Sequence, residues 1–192
     1  MAKPVLDSGP KRKDDDCDMV TSLQASELSK NELCLHEAAR QNDEMLLRKI
    51  IKKNAANLNC KNNLDRTALH MAASQGHIEA TRILIVEGKV SVDIPDKQGN
   101  TPLHIATLSN LPSMVTLLLD NNADMDIINN REQTPLHAGV EQNKCDSVEI
   151  LLLRGANLSN IDKTGKTPLL MAARGSYISM VDMIIKAERF NQ

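Results

Sequence analysis

A four-residue step recurs through most of this chain at a nearly fixed distance. Thr67-Ala68-Leu69-His70, Thr101-Pro102-Leu103-His104, Thr134-Pro135-Leu136-His137 and Thr167-Pro168-Leu169-Leu170 begin 34, 33 and 33 residues apart. An eroded copy, Leu33-Cys34-Leu35-His36, begins 34 residues before the first. Each step opens an aliphatic pattern that reads as a short turn, an inner helix, a tight reversal and an outer helix. A period in the low thirties with two short helices per unit specifies a stacked array, in which each unit buries its apolar faces mainly against its neighbours. Such thin layers fill with Leu, Ile, Ala and Met, which suits a chain of 192 residues that has one Phe, one Tyr and no Trp.

Individual positions agree with this layout. The Thr67 hydroxyl can cap the inner helix of its unit, and Pro102 falls in the first helical turn, where its missing N–H costs nothing. Ala72-Ala73 and Ala172-Ala173 let paired helices approach. Asn110-Leu111 occupies the third reversal; Asn tolerates a left-handed backbone, and Leu111 is expected to enter the core rather than stand exposed. In the fourth unit, Gly139-Val140 replaces a pair of alanines. Gly there costs up to about 1 kcal/mol of helix propensity, so that unit is expected to be the weaker one. The stretch Gly88 to Asp93 is one residue longer than Gly155 to Ser159, which predicts an enlarged surface turn.

The Thr-Pro-Leu-His steps, Ala72-Ala73, Gly76-His77, Ala123-Asp124 and Gly155-Ala156-Asn157 resemble the signature of the ankyrin repeat. The resemblance covers about residues 31–190. It implies an all-α ankyrin-repeat solenoid of about five helix-turn-helix units joined by short hairpin-like turns, with divisions at 31–62, 63–96, 97–129, 130–162 and 163–190. It also implies that the in-step histidines bond to the backbone of the neighbouring turn. Residues 1–30 are expected to be a largely disordered polar tail, with a short helix from Thr21 or Ser22 covering the exposed end of the first unit. Leu35 to Asn42 and Met180 to Phe190 further resemble parts of ankyrin-repeat proteins that carry a C-terminal death domain. Since that domain is absent here, the resemblance implies an adaptor in the form of an isoform, a fragment or a diverged relative.

Charge and motifs narrow the function. Lys plus Arg is 23 and Asp plus Glu is 25, for a formal net charge of -2, a balance without a nucleic-acid footprint. No window supplies the roughly twenty apolar residues of a membrane span, and no apolar run follows Met1-Ala2-Lys3-Pro4. Cys17, Cys34, Cys60 and Cys145 lack disulfide or metal spacing. A reduced, cytoplasmic protein, monomeric when free, is the expectation; Lys11-Arg12-Lys13 reads either as a minimal nuclear-import patch or as solvated tail. His36, His70, His104 and His137 recur in register, but stacked helices stand about 10 Å apart. A shared metal with bonds of about 2 Å is therefore out of reach. No nucleophile elbow, phosphate loop or zinc-protease helix occurs. We expect no enzyme, no cofactor and no metal.

What remains is surface. The connecting turns Lys61 to Arg66, Asp96 to Asn100, Asn129 to Gln133 and Asp162 to Lys166, with the adjoining inner-helix faces, should form a long concave face. Its mixed Asn, Gln, Lys, Arg and Asp content suits a protein partner better than a polyanion. Arg66, Gln98, Arg131, Glu132 and Arg174 are the expected contacts, with Leu108 as apolar anchor. Two other readings stand beside an adaptor: a stoichiometric inhibitor of a signalling kinase or transcription factor, and a substrate of an asparaginyl hydroxylase at Asn59.

Overall fold

The computed structural model describes residues 30–53 and 57–190. The readings of residues 1–29, including the disordered tail, the basic patch and the start of a short helix, lie outside them. Among the described residues ten helices form five consecutive pairs, and there is no strand. The first pair is α1, helical over residues 30–41, and α2, Glu44–Lys52. The second is α3, Ala68–Gln75, and α4, Ile78–Arg82. The third is α5, Pro102–Leu108, and α6, Pro112–Asp120. Then come α7, Pro135–Glu141, with α8, Cys145–Leu153, and α9, Pro168–Arg174, with α10, Ile178–Phe190.

Helices this short are marginal in isolation; they persist because their ends and faces are specified. Thr67, Thr101, Thr134 and Thr167 all hold an extended backbone immediately before an inner helix. Without such a start, α1 is already helical at residue 30. Each reversal turns on one left-handed residue: Asn42 (φ 58), Gly76 (φ 76), Asn110 (φ 53), Asn143 (φ 53) and Ser176 (φ 58). The expected role of Asn110 holds, and Leu111 packs on the core, with its Cδ atoms 3.4 Å from where a Cβ on Gly76 would sit.

The core is a pair of aliphatic columns. Inner helices contribute Leu35, Leu69, Leu103 and Leu136; outer helices contribute Ile50, Leu84, Leu118, Leu151 and Ile184. Inner helices pack α3 on α5, α5 on α7 and α7 on α9, while outer helices pack α2 on α4, α4 on α6, α6 on α8 and α8 on α10. Gly139 has a packing reason rather than a merely weak one. A Cβ there would lie 2.7 Å from Thr107 Cγ2 and 2.8 Å from Val148 Cγ2, so the bare backbone is what lets α7 sit against both α5 and α8.

The extra residue of the second unit is not in the turn, where the sequence pointed. Lys89, Asn122 and Gly155, the left-handed residues after the outer helices, are spaced evenly by 33. His77 and Leu111, at the starts of those helices, are 34 apart. The added residue is therefore inside the outer helix, where Ile83–Glu87 forms a π-helical turn and the Gly88 N–H reaches back five residues to the Ile83 carbonyl at 3.0 Å. The π-helix occurs mostly as single-turn bulges inside α-helices, and here one holds the added residue. Gly88 suits the crowding that results: a Cβ there would stand 2.6 Å from the Leu84 carbonyl oxygen.

Candidate protein-binding face

Every connecting turn is built on a buried or half-buried Asn or Asp whose Oδ1 accepts two backbone N–H groups. Asn62 accepts from Leu64 and Arg66, Asp96 from Gln98 and Asn100, Asn129 from Arg131 and Gln133, and Asp162 from Thr164 and Lys166, all at 2.9–3.1 Å. Near the tip, Asp65, Gly99, Glu132 and Gly165 adopt positive φ. Successive turns are then joined: Lys97 N–H donates to the Leu64 carbonyl, Asn130 N–H to Gln98 and Lys163 N–H to Arg131, at 3.0–3.1 Å. Sequence neighbours thus fix each turn, and one backbone bond fixes each turn to the next.

The in-step histidines tie helices to turns. His70 Nε2–H donates to the Asn100 carbonyl at 3.0 Å and His104 Nε2–H to the Gln133 carbonyl at 3.0 Å. His137 does the same to Lys166 at 3.2 Å. In these three, Nδ1 accepts from the N–H of the capping Thr, Thr67, Thr101 or Thr134, at 3.1–3.4 Å. A ring that accepts at one nitrogen and donates at the other is neutral, with the proton on Nε2. Burial pushes the His104 ring down to about 4 and lowers His70 and His137 for the same reason, against the opposing pull of the carbonyls they face. His36, without a capping Thr, instead faces the Glu32 carbonyl with Nδ1 at 2.8 Å, while its Nε2 still reaches the Arg66 carbonyl at 2.9 Å. Among the described residues, no group of three His, Cys, Asp or Glu is arranged to hold a metal ion.

The structure distributes the sequence-derived contact residues unevenly. Gln98, Arg131 and Glu132 stand exposed on two successive turns, brought together by the Asn130 N–H to Gln98 carbonyl bond. Arg131 also pairs with Glu141 at 2.8 Å, bridging its turn to the end of α7. Leu108 is half-buried at the end of α5, and Arg174 is exposed at the end of α9. Arg66 is engaged inside the turn system: its Nε lies 3.3 Å from Oδ2 of Asp96, a carboxylate only 6% exposed. Asn59 is exposed, and its Oδ1 accepts the Ser91 N–H at 3.0 Å.

Sequence reasoning missed an apolar component at the N-terminal end of this face. Leu33, Arg40, Leu64 and Met71 help line a groove of about 560 Å³, with Leu33 and Leu64 among the exposed large hydrophobic residues. A register signal was available for Leu64, which occupies the turn position held by Gln98, Arg131 and Thr164 in the following units.

Comparison with known proteins gives the same architecture. A family model described as "Ankyrin repeats (3 copies)" matches residues 35–129 and 109–192. The chain is 40% identical over 81 residues to the mitochondrial glutaminase liver isoform of Mus musculus, an alignment covering 42% of this chain and 13% of that protein. It is 39% identical over 75 residues to NF-kappa-B inhibitor alpha of Gallus gallus, covering 38% and 23% respectively. It is 37% identical over 70 residues to 26S proteasome non-ATPase regulatory subunit 10 of Dictyostelium discoideum, covering 36% and 30%. The chain therefore spans less than a third of each of these relatives. No helix among the described residues is long and apolar enough to cross a membrane. With helix pairs stacked at the repeat period and the family model matched from residue 35 to 192, the chain belongs to the ankyrin-repeat family, whose repeats serve as protein-interaction modules.

Proposed function

We propose that this chain is a non-catalytic adaptor that binds a protein partner through its inner-helix and turn face. One observation carries the reading: exposed side chains on successive turns are held in register by the cross-unit bonds of Lys97, Asn130 and Lys163. A face ordered before binding loses little freedom on association. Gln98, Leu108, Arg131, Glu132 and Arg174 are the proposed contacts, extended by Leu33 and Leu64 at the N-terminal end; Arg66 contributes by holding Asp96. The repeats divide at 31–62, 63–96, 97–129, 130–162 and 163–190, and the protein acts as a monomer in the cytoplasm or nucleus.

The test compares capture from cell lysate by the intact chain and by a Leu108→Asp, Arg131→Glu, Arg174→Glu variant, after both give the same helical circular dichroism. Arg66 is left in place because its removal would strip Asp96 of its cation. A protein captured by the intact chain and lost from the variant supports the reading. Equal capture by both refutes it.

Similarity to NF-kappa-B inhibitor alpha favours a second reading, a stoichiometric inhibitor of a transcription factor or signalling kinase. It requires a stable complex that lowers the partner's activity. Asn59 is additionally proposed as an asparaginyl hydroxylase substrate, since its side chain is exposed at the turn after an outer helix. An unchanged mass for its peptide after exposure to such an enzyme would dispose of that idea.

A further inference from the structure

The outer face of α2 reverses the polarity of the other outer helices. Three residues past the reversal, α4, α6, α8 and α10 carry the polar Glu79, Ser113, Asp146 and Ser179, whereas α2 carries Met45, 79% exposed. Seven residues past it, the later helices carry Ile83, Leu117, Ile150 and Met183, all packed on the core. There α2 carries the exposed Lys49. With Leu46, Arg48, Lys52, Lys53 and Asp43, whose Oδ1 accepts the Leu46 N–H at 2.9 Å, these residues line an open depression of about 740 Å³. Arg48 is occupied by Glu44 and Glu87, each at 3.1 Å. Among the described residues no carboxylate pairs with Lys49, Lys52 or Lys53. This end is not shaped to receive another repeat, which would bury the lysines; it is shaped for an acidic segment with an apolar end.

The chain itself contains one. Asp14, Asp15, Asp16 and Asp18 are followed directly by Met19-Val20, matching three unpaired cations beside Met45 and Leu46. The reach suffices. α1 runs back along α2 from the reversal at Asn42, so residue 30 lies toward the Lys52-Lys53 end, and residues 20 to 30 can extend over about 33 Å. That exceeds the roughly 14 Å length of α2. We propose that the Asp14 to Val20 segment docks on the Met45, Leu46, Lys49, Lys52 and Lys53 surface of its own chain. The proposal is independent of the partner-binding face.

Cys17, inside the acidic segment, provides the probe. In the full chain carrying Cys34→Ser, Cys60→Ala and Cys145→Ser, a nitroxide on Cys17 should cause loss of amide signal intensity at residues 45–53 and leave residues 162–170 unaffected. Raising the salt to about 1 M, where the screening length is about 3 Å, should weaken the effect. Lys49→Glu, Lys52→Glu and Lys53→Glu together should abolish it while the spectrum keeps its dispersion. Adding Asp14→Lys, Asp15→Lys and Asp16→Lys to that variant should restore it. Broadening that is uniform along the array, is centred elsewhere or survives the lysine reversal overturns the proposal. Broadening of an isotope-labelled, nitroxide-free chain mixed with a nitroxide-bearing one would assign the surface to a second copy and equally overturn it.

Discussion

Acid should loosen this array through its buried histidines, and His104 sets the scale. Its ring is fully buried, accepts from Thr101 N–H at Nδ1 and donates to the Gln133 carbonyl. It is held down to about 4 from an ordinary 6.5, chiefly by burial. The folded state therefore keeps the ring neutral while the unfolded chain takes up a proton as pH falls through 6.5. Stability from this group is complete above about pH 6.5, declines down to about 4 and changes no further below it. Linkage over that full window amounts to about 3 kcal/mol, of which about 2 kcal/mol is lost between pH 7.5 and 5. His70 and His137 are lowered too and add losses of the same sign. Asp162 is raised by desolvation but held below its ordinary value of 3.8 by the combined Lys166 and Thr164 N–H groups, the Thr164 hydroxyl and the Lys166 charge, so it acts only at lower pH. Urea unfolding followed at 222 nm at pH 7.5 and 5 measures the loss directly. His104→Gln keeps an N–H for the Gln133 carbonyl but cannot titrate, so its stability should fall by about 2 kcal/mol less over the same interval. Equal losses in the two proteins would refute the assignment to His104.

Three further outcomes follow from packing. Thr81 is buried with its hydroxyl unpartnered, where the other outer helices carry Leu47, Val115, Val148 and Val181. Thr81→Val should therefore stabilise the fold by about 1 kcal/mol, raising Tm by about 2–4 °C in a thermal melt. Gly139→Ala improves helix propensity on paper, yet its methyl would press on Thr107 and Val148; a loss of about 1–3 kcal/mol in urea unfolding is expected, and a gain would contradict the packing. Glu132 holds φ 56 at a turn tip where Gly99 and Gly165 sit in neighbouring turns. Glu132→Gly should raise stability by about 1 kcal/mol, and any accompanying loss of partner capture separates its binding role from its strain.

The repeat and its turns were legible because their signals are local. A Thr-led step and a Gly or Asn at the reversal act within a few residues, so the period and the positions of the turns could be read directly. What escaped depends on atoms far apart in sequence. Arg66 reads as a free surface cation until Asp96, thirty residues on, is found 3.3 Å from its guanidinium. Gly139 reads as a weak helix residue until Thr107 and Val148 are seen to need the space. The insertion in the second unit was placed in the turn because turns ordinarily tolerate length. The even spacing of Lys89, Asn122 and Gly155 becomes significant only once their backbone angles are known.

The π-helical turn at Ile83–Glu87 has a consequence for how such a chain tolerates change in length. An added residue inside a connecting turn would put the Lys97 to Leu64 bond and its successors out of phase, and every downstream display position would shift with them. Added to the outer helix, the same residue becomes slack taken up on the far side of the molecule, and the spacing of the turns is preserved. The two layers thus have different tolerances: the turn layer behaves as a ruler with fixed graduations, and the outer helices behave as the elastic backing on which it is mounted.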